Sequence, residues 1–205
     1  MSQTPAVRLR IAGLRSALAG PFDLVVALGE CVAITGPSGS GKSLFLRMVA
    51  DLDPNQGEVM LDGRDRRTFP APDWRRQVVY NAAETGWWDD LVAPHFPGPA
   101  LAQARAITPS LGLDPALLDG PVLRLSTGER ARLALIRTLV LDPPVLLLDE
   151  PTGALDQAST GLVEAVLRQR LSAGTAILLV THSVEQAQHL GHRHYRMADR
   201  RLVPA

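Results

Sequence analysis

The sequence predicts an α/β fold: a mostly parallel sheet covered by helices on both faces. Two observations carry this reading. Residues 31–35 (CVAIT), 145–149 (VLLLD) and the start of AILLVTHS are short, continuous apolar runs flanked by turn or helix signals. Runs of that kind mark strands buried on both faces, which parallel sheets need. The segment SLFLRMVADL that follows the first run has helical spacing, and strands alternating with helices are the mark of parallel crossovers.

The remaining elements follow in order. VRLRIAGL, FDLVVAL and GEVMLDG alternate apolar and polar residues and are punctuated by glycine, which predicts an N-terminal antiparallel β subdomain beside the main sheet. Residues 87–124 hold six prolines and few β-branched residues, with one helical candidate, ALAQARAITPSLGL. We read this stretch as a short inserted helical subdomain in a single domain whose core is 1–86 and 125–205. The tail, 186–205, is polar and finishes with a short strand pair.

Composition narrows the function. Lys plus Arg and Asp plus Glu both number 21, a formal net charge of +0, which disfavours a general nucleic-acid binder. At 205 residues the chain buries a core without disulfides or metal staples. The one cysteine, Cys31, stands in an apolar run and reads as a buried structural thiol, compatible with a reducing cytoplasm. MSQTPAVRLR lacks the apolar segment of a signal sequence, and no run is long enough to span a membrane. Any work at a membrane therefore needs another chain to hold this one there.

Residues 36–43 (Gly36, Pro37, Ser38, Gly39, Ser40, Gly41, Lys42, Ser43) match G-x-x-x-x-G-K-[ST] between a strand and a helix. The glycines let successive N–H groups point at phosphate oxygens, and the helix adds its positive end. Lys42 then reaches the β- and γ-phosphates, and the Ser43 hydroxyl ligates Mg²⁺. VLLLDEP ends a strand on two acids: Asp149 suits Mg²⁺, and Glu150 suits the general base for the attacking water. Together these resemble the Walker A and Walker B elements of P-loop NTPases and predict a RecA-like core that binds ATP and Mg²⁺.

LSTGERARLALIRTL, at 125–139, resembles the LSGGQ signature and helix of ATP-binding cassette (ABC) ATPases. DEPTGALD resembles their D-loop region, and LLVTHS carries a switch histidine, His182, in family order. The resemblance spans nearly the whole chain. It implies an ATPase subunit that pairs head to tail with a second ABC subunit, as a homodimer or a heterodimer that sandwiches two ATP molecules. Ser126, Thr127 and Gly128 then complete the partner's ATP site, Asp156 lies at the dimer seam, and His182 contacts the γ-phosphate and the water. It also implies integral membrane permease subunits and a place on the cytoplasmic face of the membrane. A soluble ABC mechanoenzyme and a regulatory, weakly hydrolysing cassette are the alternatives.

Three positions depart from the family pattern. RIAGLRSALAG lacks the aromatic residue that stacks on adenine; Leu14 is the nearest candidate, with Arg15 beside it, at a loss on the order of 1–3 kcal/mol of stacking. The position of the usual metal-linking glutamine falls on Ala83, with Glu84 adjacent as an anionic substitute. Thr127 replaces a signature glycine and fits only if its φ stays negative. Trp87 and Trp88 suit either a partner anchor or packing of the helical lobe. Arg75 and Arg76 beside Trp74 read as a solvated face with an aromatic anchor. His189, His192 and His194 lack an acid or cysteine at zinc-ligand spacing.

Overall fold

The computed structural model describes residues 6–205; the first five residues of MSQTPAVRLR lie outside them. In chain order the elements are β1 (Val7–Arg15), β2 (Phe22–Ala27), β3 (Cys31–Thr35), α1 (Lys42–Val49), β4 (Gln56–Leu61) and β5 (Arg64–Asp65). Then come α2 (Ala71–Gln77), β6 (Val78–Asn81), α3 (Ala100–Ile107), α4 (Thr127–Leu139), β7 (Val145–Asp149) and α5 (Gln157–Ser172). The chain ends with β8 (Ala176–Val180), α6 (Val184–Leu190), β9 (Arg193–Ala198) and β10 (Arg201–Pro204).

The main sheet has the order β10-β9-β3-β8-β7-β6, and all its neighbours pair in parallel except β10 with β9. Every residue of β7 and β8 is buried, as expected of strands covered on both sides. One apolar cluster, with Phe45, Trp74 and Leu147, joins this sheet to the antiparallel sheet β2-β1-β4-β5. A second cluster, on the opposite face, joins Leu146 and Val163 to Phe96, Ala104 and Leu118 from the 87–124 stretch. That stretch holds one α-helix and several short 3-10 turns.

Strand β1 contains a bulge. Its burial alternates at Leu9 and Ile11, and the register with β2 then slips before Leu14. Gly13 (φ 58) supplies the left-handed residue that such a bulge demands. The extra residue turns Leu14 inward, where it is fully buried in the core. Leu14 therefore cannot meet adenine, which corrects the expectation drawn from the sequence.

Helix α1 is held from behind. A helix leaves its last carbonyls without partners, and donors near that end are favoured. Here the buried Arg66 Nη1 donates to Met48 O (3.0 Å), Trp74 Nε1 to Val49 O (3.1 Å) and Arg75 Nη2 to Asp51 O (2.6 Å). Trp74, the expected aromatic anchor, is completely buried, with Phe69 tilted against it at 5.6 Å. Cys31 is buried too, and burial pushes its thiol up to about 12.

Replacing Trp74 tests this clamp. Trp74→Ala should cost about 3–5 kcal/mol, and Trp74→Phe, which keeps most packing but loses the bond to Val49, about 1–2 kcal/mol. Urea denaturation of both variants gives the comparison.

Candidate nucleotide site

The parallel strands β3, β8 and β7 are adjacent, so the segments that leave their C-terminal ends share one edge of the sheet. Open α/β sheets bind ligands at that edge. The register is tight: Glu150 N donates to Val180 O (2.9 Å) and Thr181 N to Ile34 O (3.3 Å). Gly36, Glu150 and His182 are thereby drawn together from sequence positions far apart.

Gly36 to Gly41 form the loop between β3 and α1. Gly41 caps α1 in the left-handed region (φ 104), so the N–H groups of the first turn face the loop. The buried Lys42 sends Nζ to Gly36 O (2.7 Å) and Pro37 O (2.9 Å), which fixes the ammonium under the loop. Ser40 Oγ is buried with no hydrogen-bond partner among the described residues, a polar atom directed into the loop. Pro37, Ser38, Gly39 and Ser43 are exposed around it.

Asp149 is buried at the end of β7, and Tyr80 Oη donates to its Oδ2 at 2.8 Å. The pairing explains this contact. Tyr80 lies opposite Leu147 in the β6–β7 register, and Leu147 and Asp149 share a face because side chains alternate. An aromatic side chain spans that diagonal. Burial and the Asp149 charge push the Tyr80 phenol well above its ordinary range, so it stays a donor. The next residue, Asn81, accepts a bond from Thr138 of α4 (3.2 Å). Ala83 and Glu84 are exposed on the loop beyond, and Tyr80, which sequence reasoning passed over, is the residue of this segment that bonds Asp149.

Glu150 has a left-handed backbone (φ 50), a costly conformation outside glycine. Its Oε2 accepts from His182 N (3.1 Å). His182 Nε2 lies 3.1 Å from Oε1, near but without hydrogen-bond alignment, which leaves Oε1 buried with no hydrogen-bond partner among the described residues. Burial raises the Glu150 pKa; the bond from His182 N and the charges of His182 and Lys42 oppose the rise.

The signature residues sit elsewhere. Ser126 caps α4 in a reciprocal box: Glu129 N donates to its Oγ, and its own N and Oγ donate to Glu129 Oε2 (2.8 Å each). Thr127 opens the helix without a positive φ, so the β-branched residue fits where a glycine was expected. A Cβ on Gly128 would touch Leu155 and Ala154 O. No hydrogen bond among the described residues links 126–128 to the 36–43 loop. Asp156 caps α5, accepting from Ser159 N (2.7 Å), and these bonds hold its carboxyl below the usual range.

The aromatic pair divides. Trp87 packs on the second core cluster, edge-on to the buried His95 (4.7 Å), while Trp88 is 70% exposed. His192 Nδ1 accepts from Cys31 N, and His189 Nδ1 lies 3.2 Å from Glu164, so two of the three tail histidines have protein partners.

The ABC transporter family profile matches residues 20–153. The chain belongs to the ABC transporter family. Protein STAR1 of Oryza sativa subsp. japonica is 39% identical over 201 residues, 91% of this chain and 58% of that protein. The lipoprotein-releasing system ATP-binding protein LolD of Idiomarina loihiensis is 33% identical, covering 82% of this chain and 81% of its own. The thiamine import ATP-binding protein ThiQ of Escherichia coli strain K12 is 36% identical, covering 89% and 83%. The ATP-binding cassette MJ0796, solved as a dimer bound to ADP and Pi, shares the fold, with a TM-score of 0.83 at 23% identity over 95% of this chain and 96% of that one. This ABC protein is an ATP-binding, ATP-hydrolysing subunit of a transporter.

The raised Glu150 pKa sets a pH test. A carboxyl whose folded pKa exceeds its unfolded value loses stabilisation as pH rises through the folded value. Glu150→Gln, neutral throughout, should therefore melt above the natural protein at pH 7. Thermal melts over a pH series should show the gap closing below about pH 4.5, the ordinary glutamate value.

Proposed function

We propose that this ABC subunit works as half of a head-to-tail dimer whose ATP-driven closure energises separate membrane-spanning subunits. The observation that carries the reading is the contact of Glu150 with His182 beside the Lys42 loop, while among the described residues no hydrogen bond joins the signature residues 126–128 to that loop. A γ-phosphate bound at Lys42 thus has a base and a histidine from its own chain. The free N–H groups at the start of α4 fit a phosphate held by a second copy. A second copy, rather than a distinct partner, is the simplest form of this dimer.

Lys42 and the N–H groups of residues 39–43 bind the β- and γ-phosphates. Ser43 and Asp149 are hard oxygen donors suited to Mg²⁺, which keeps most of its ligands as water or phosphate. Mg²⁺ held there would neutralise phosphate charge, and Tyr80 orients the Asp149 carboxylate that would hold it. A water oxygen attacks the γ-phosphorus, Glu150 takes the water's proton, and ADP leaves with the β–γ bridging oxygen. His182 holds Glu150 in place and contacts the γ-phosphate. Asp156, exposed at the start of α5, faces the seam.

No helix among the described residues is long and apolar enough to cross a membrane. The names of LolD and ThiQ, ATP-binding proteins of a lipoprotein-releasing system and of thiamine import, support work beside permease subunits; our reading places the chain on the cytoplasmic side of that membrane. The exposed Trp88, with Arg137 4.9 Å over its ring, is a suitable anchor for such a subunit. The neutral charge supports no nucleic-acid partner.

Two measurements test this. Mg²⁺-ATP turnover should rise more than linearly with protein concentration and fall by a hundredfold or so in Glu150→Gln, in line with loss of a general base; linear turnover untouched by that change sinks the scheme. Tyr80→Phe should raise the Mg²⁺ concentration for half-maximal nucleotide binding about tenfold or more, leaving metal-free binding as it was.

A further inference from the structure

The β1–β2 loop and the turn between β9 and β10 meet at the mouth of the phosphate loop. Gly20 N donates to Arg200 O (3.1 Å), and Arg200 Nη1 donates to Leu18 O (2.8 Å). Asp199 (φ 47) and Arg200 (φ 59) are both left-handed, as in a tight two-residue hairpin turn. Such turns favour asparagine, aspartate or glycine, so an arginine at the second position sits there against backbone preference. Leu18 is 60% exposed, and Arg200 is exposed as well.

These two side chains line one cleft with residues 39–44. Its volume is about 260 Å³. Arg200 Cγ lies 3.8 Å from the place a Cβ on Gly41 would occupy, so the arginine stem rests against the start of α1. One end of the cleft offers N–H groups and Lys42, which suit phosphate. The other offers leucine methyls and a planar cation, which suit a flat aromatic ring with little charge.

We propose that Leu18 and Arg200 form the base-side wall of the cleft, with the Arg200 guanidinium over the face of the purine. The proposal rests on the nucleotide-site reading above. A delocalised cation replaces the missing aromatic side chain: it meets the same π face and gains attraction from the ring electrons. The bond to Leu18 O orders the arginine before the nucleotide arrives, which lowers the cost of fixing its side chain on binding. The C-terminal hairpin thus belongs to the binding site, joined to it by the two bonds that tie Arg200 to the β1–β2 loop.

Calorimetric titration of ATP and of inorganic tripolyphosphate separates base from phosphate contacts. Arg200→Gly suits the left-handed backbone and should keep the melting temperature. It should weaken ATP roughly 5- to 30-fold, the range of a partly desolvated cation–π contact, and leave tripolyphosphate unchanged. Leu18→Tyr should tighten ATP alone. An equal loss for tripolyphosphate would make Arg200 a phosphate ligand and overturn the proposal, as would undiminished ATP binding in Arg200→Gly. Lys42→Ala, run alongside, should lose both ligands; if it kept ATP, the phosphate-site reading itself would fail, independently of the wall.

Discussion

The site depends on one asymmetry of helix α1: its free N–H groups must face the phosphate loop while its free carbonyls are satisfied from behind. Both ends of a helix carry unpaired groups, and burying either without partners costs energy. Arg66, Trp74 and Arg75 meet Met48, Val49 and Asp51 at the rear. These donors come from the segment between β5 and β6, so the antiparallel sheet and the main sheet are fastened together by the helix they share. The front end is then free to be electropositive without the helix shifting along its axis. Lys42 completes it, fixed by two loop carbonyls instead of an acidic side chain.

At the other side of the cleft the chain tolerates strain. Glu150 holds a left-handed backbone and one unpartnered buried oxygen, two costs of a kind that folded proteins keep to a minimum. The register of β7 against β8 supports both, since the bond from Glu150 N to Val180 O anchors the residue immediately after the strand. The unpaired oxygen is the atom best placed to accept a proton. Its neighbour Asp149 is treated in the opposite way, bonded by Tyr80 and directed inward. Adjacent carboxylates thus acquire different work from different surroundings.

The parts of this arrangement that were legible in the sequence are those in which chemistry and chain order coincide. CVAIT followed by GPSGSGKS, and VLLLD followed by Glu150, announce strand, turn and charge within a few residues, and the structure has those strands with the expected ends. The polar tail forms the expected strand pair, β9 with β10. Leu14 was misjudged because its direction is set by the bulge at Gly13, and one added residue reverses the inward and outward alternation of a strand. Tyr80 was passed over because its partner is 69 residues away and is chosen by strand register. Leu18 and Arg200 are farther apart still, 182 residues, and no local pattern relates them. Trp87 and Trp88 read identically along the chain, and both rings lie against His95; Trp87 packs on the second core cluster as well, while Trp88 stays exposed.

The box at the start of α4 has a consequence for how a dimer of such subunits would open and close. Ser126 Oγ is already engaged twice by Glu129 in the single subunit. A phosphate arriving from a second copy would compete for that hydroxyl with a carboxylate of like charge. Caps of this type are worth about 1 kcal/mol. If the subunits pair as proposed, docking at this hydroxyl exchanges the internal Glu129 acceptor for an external one, and release restores the first.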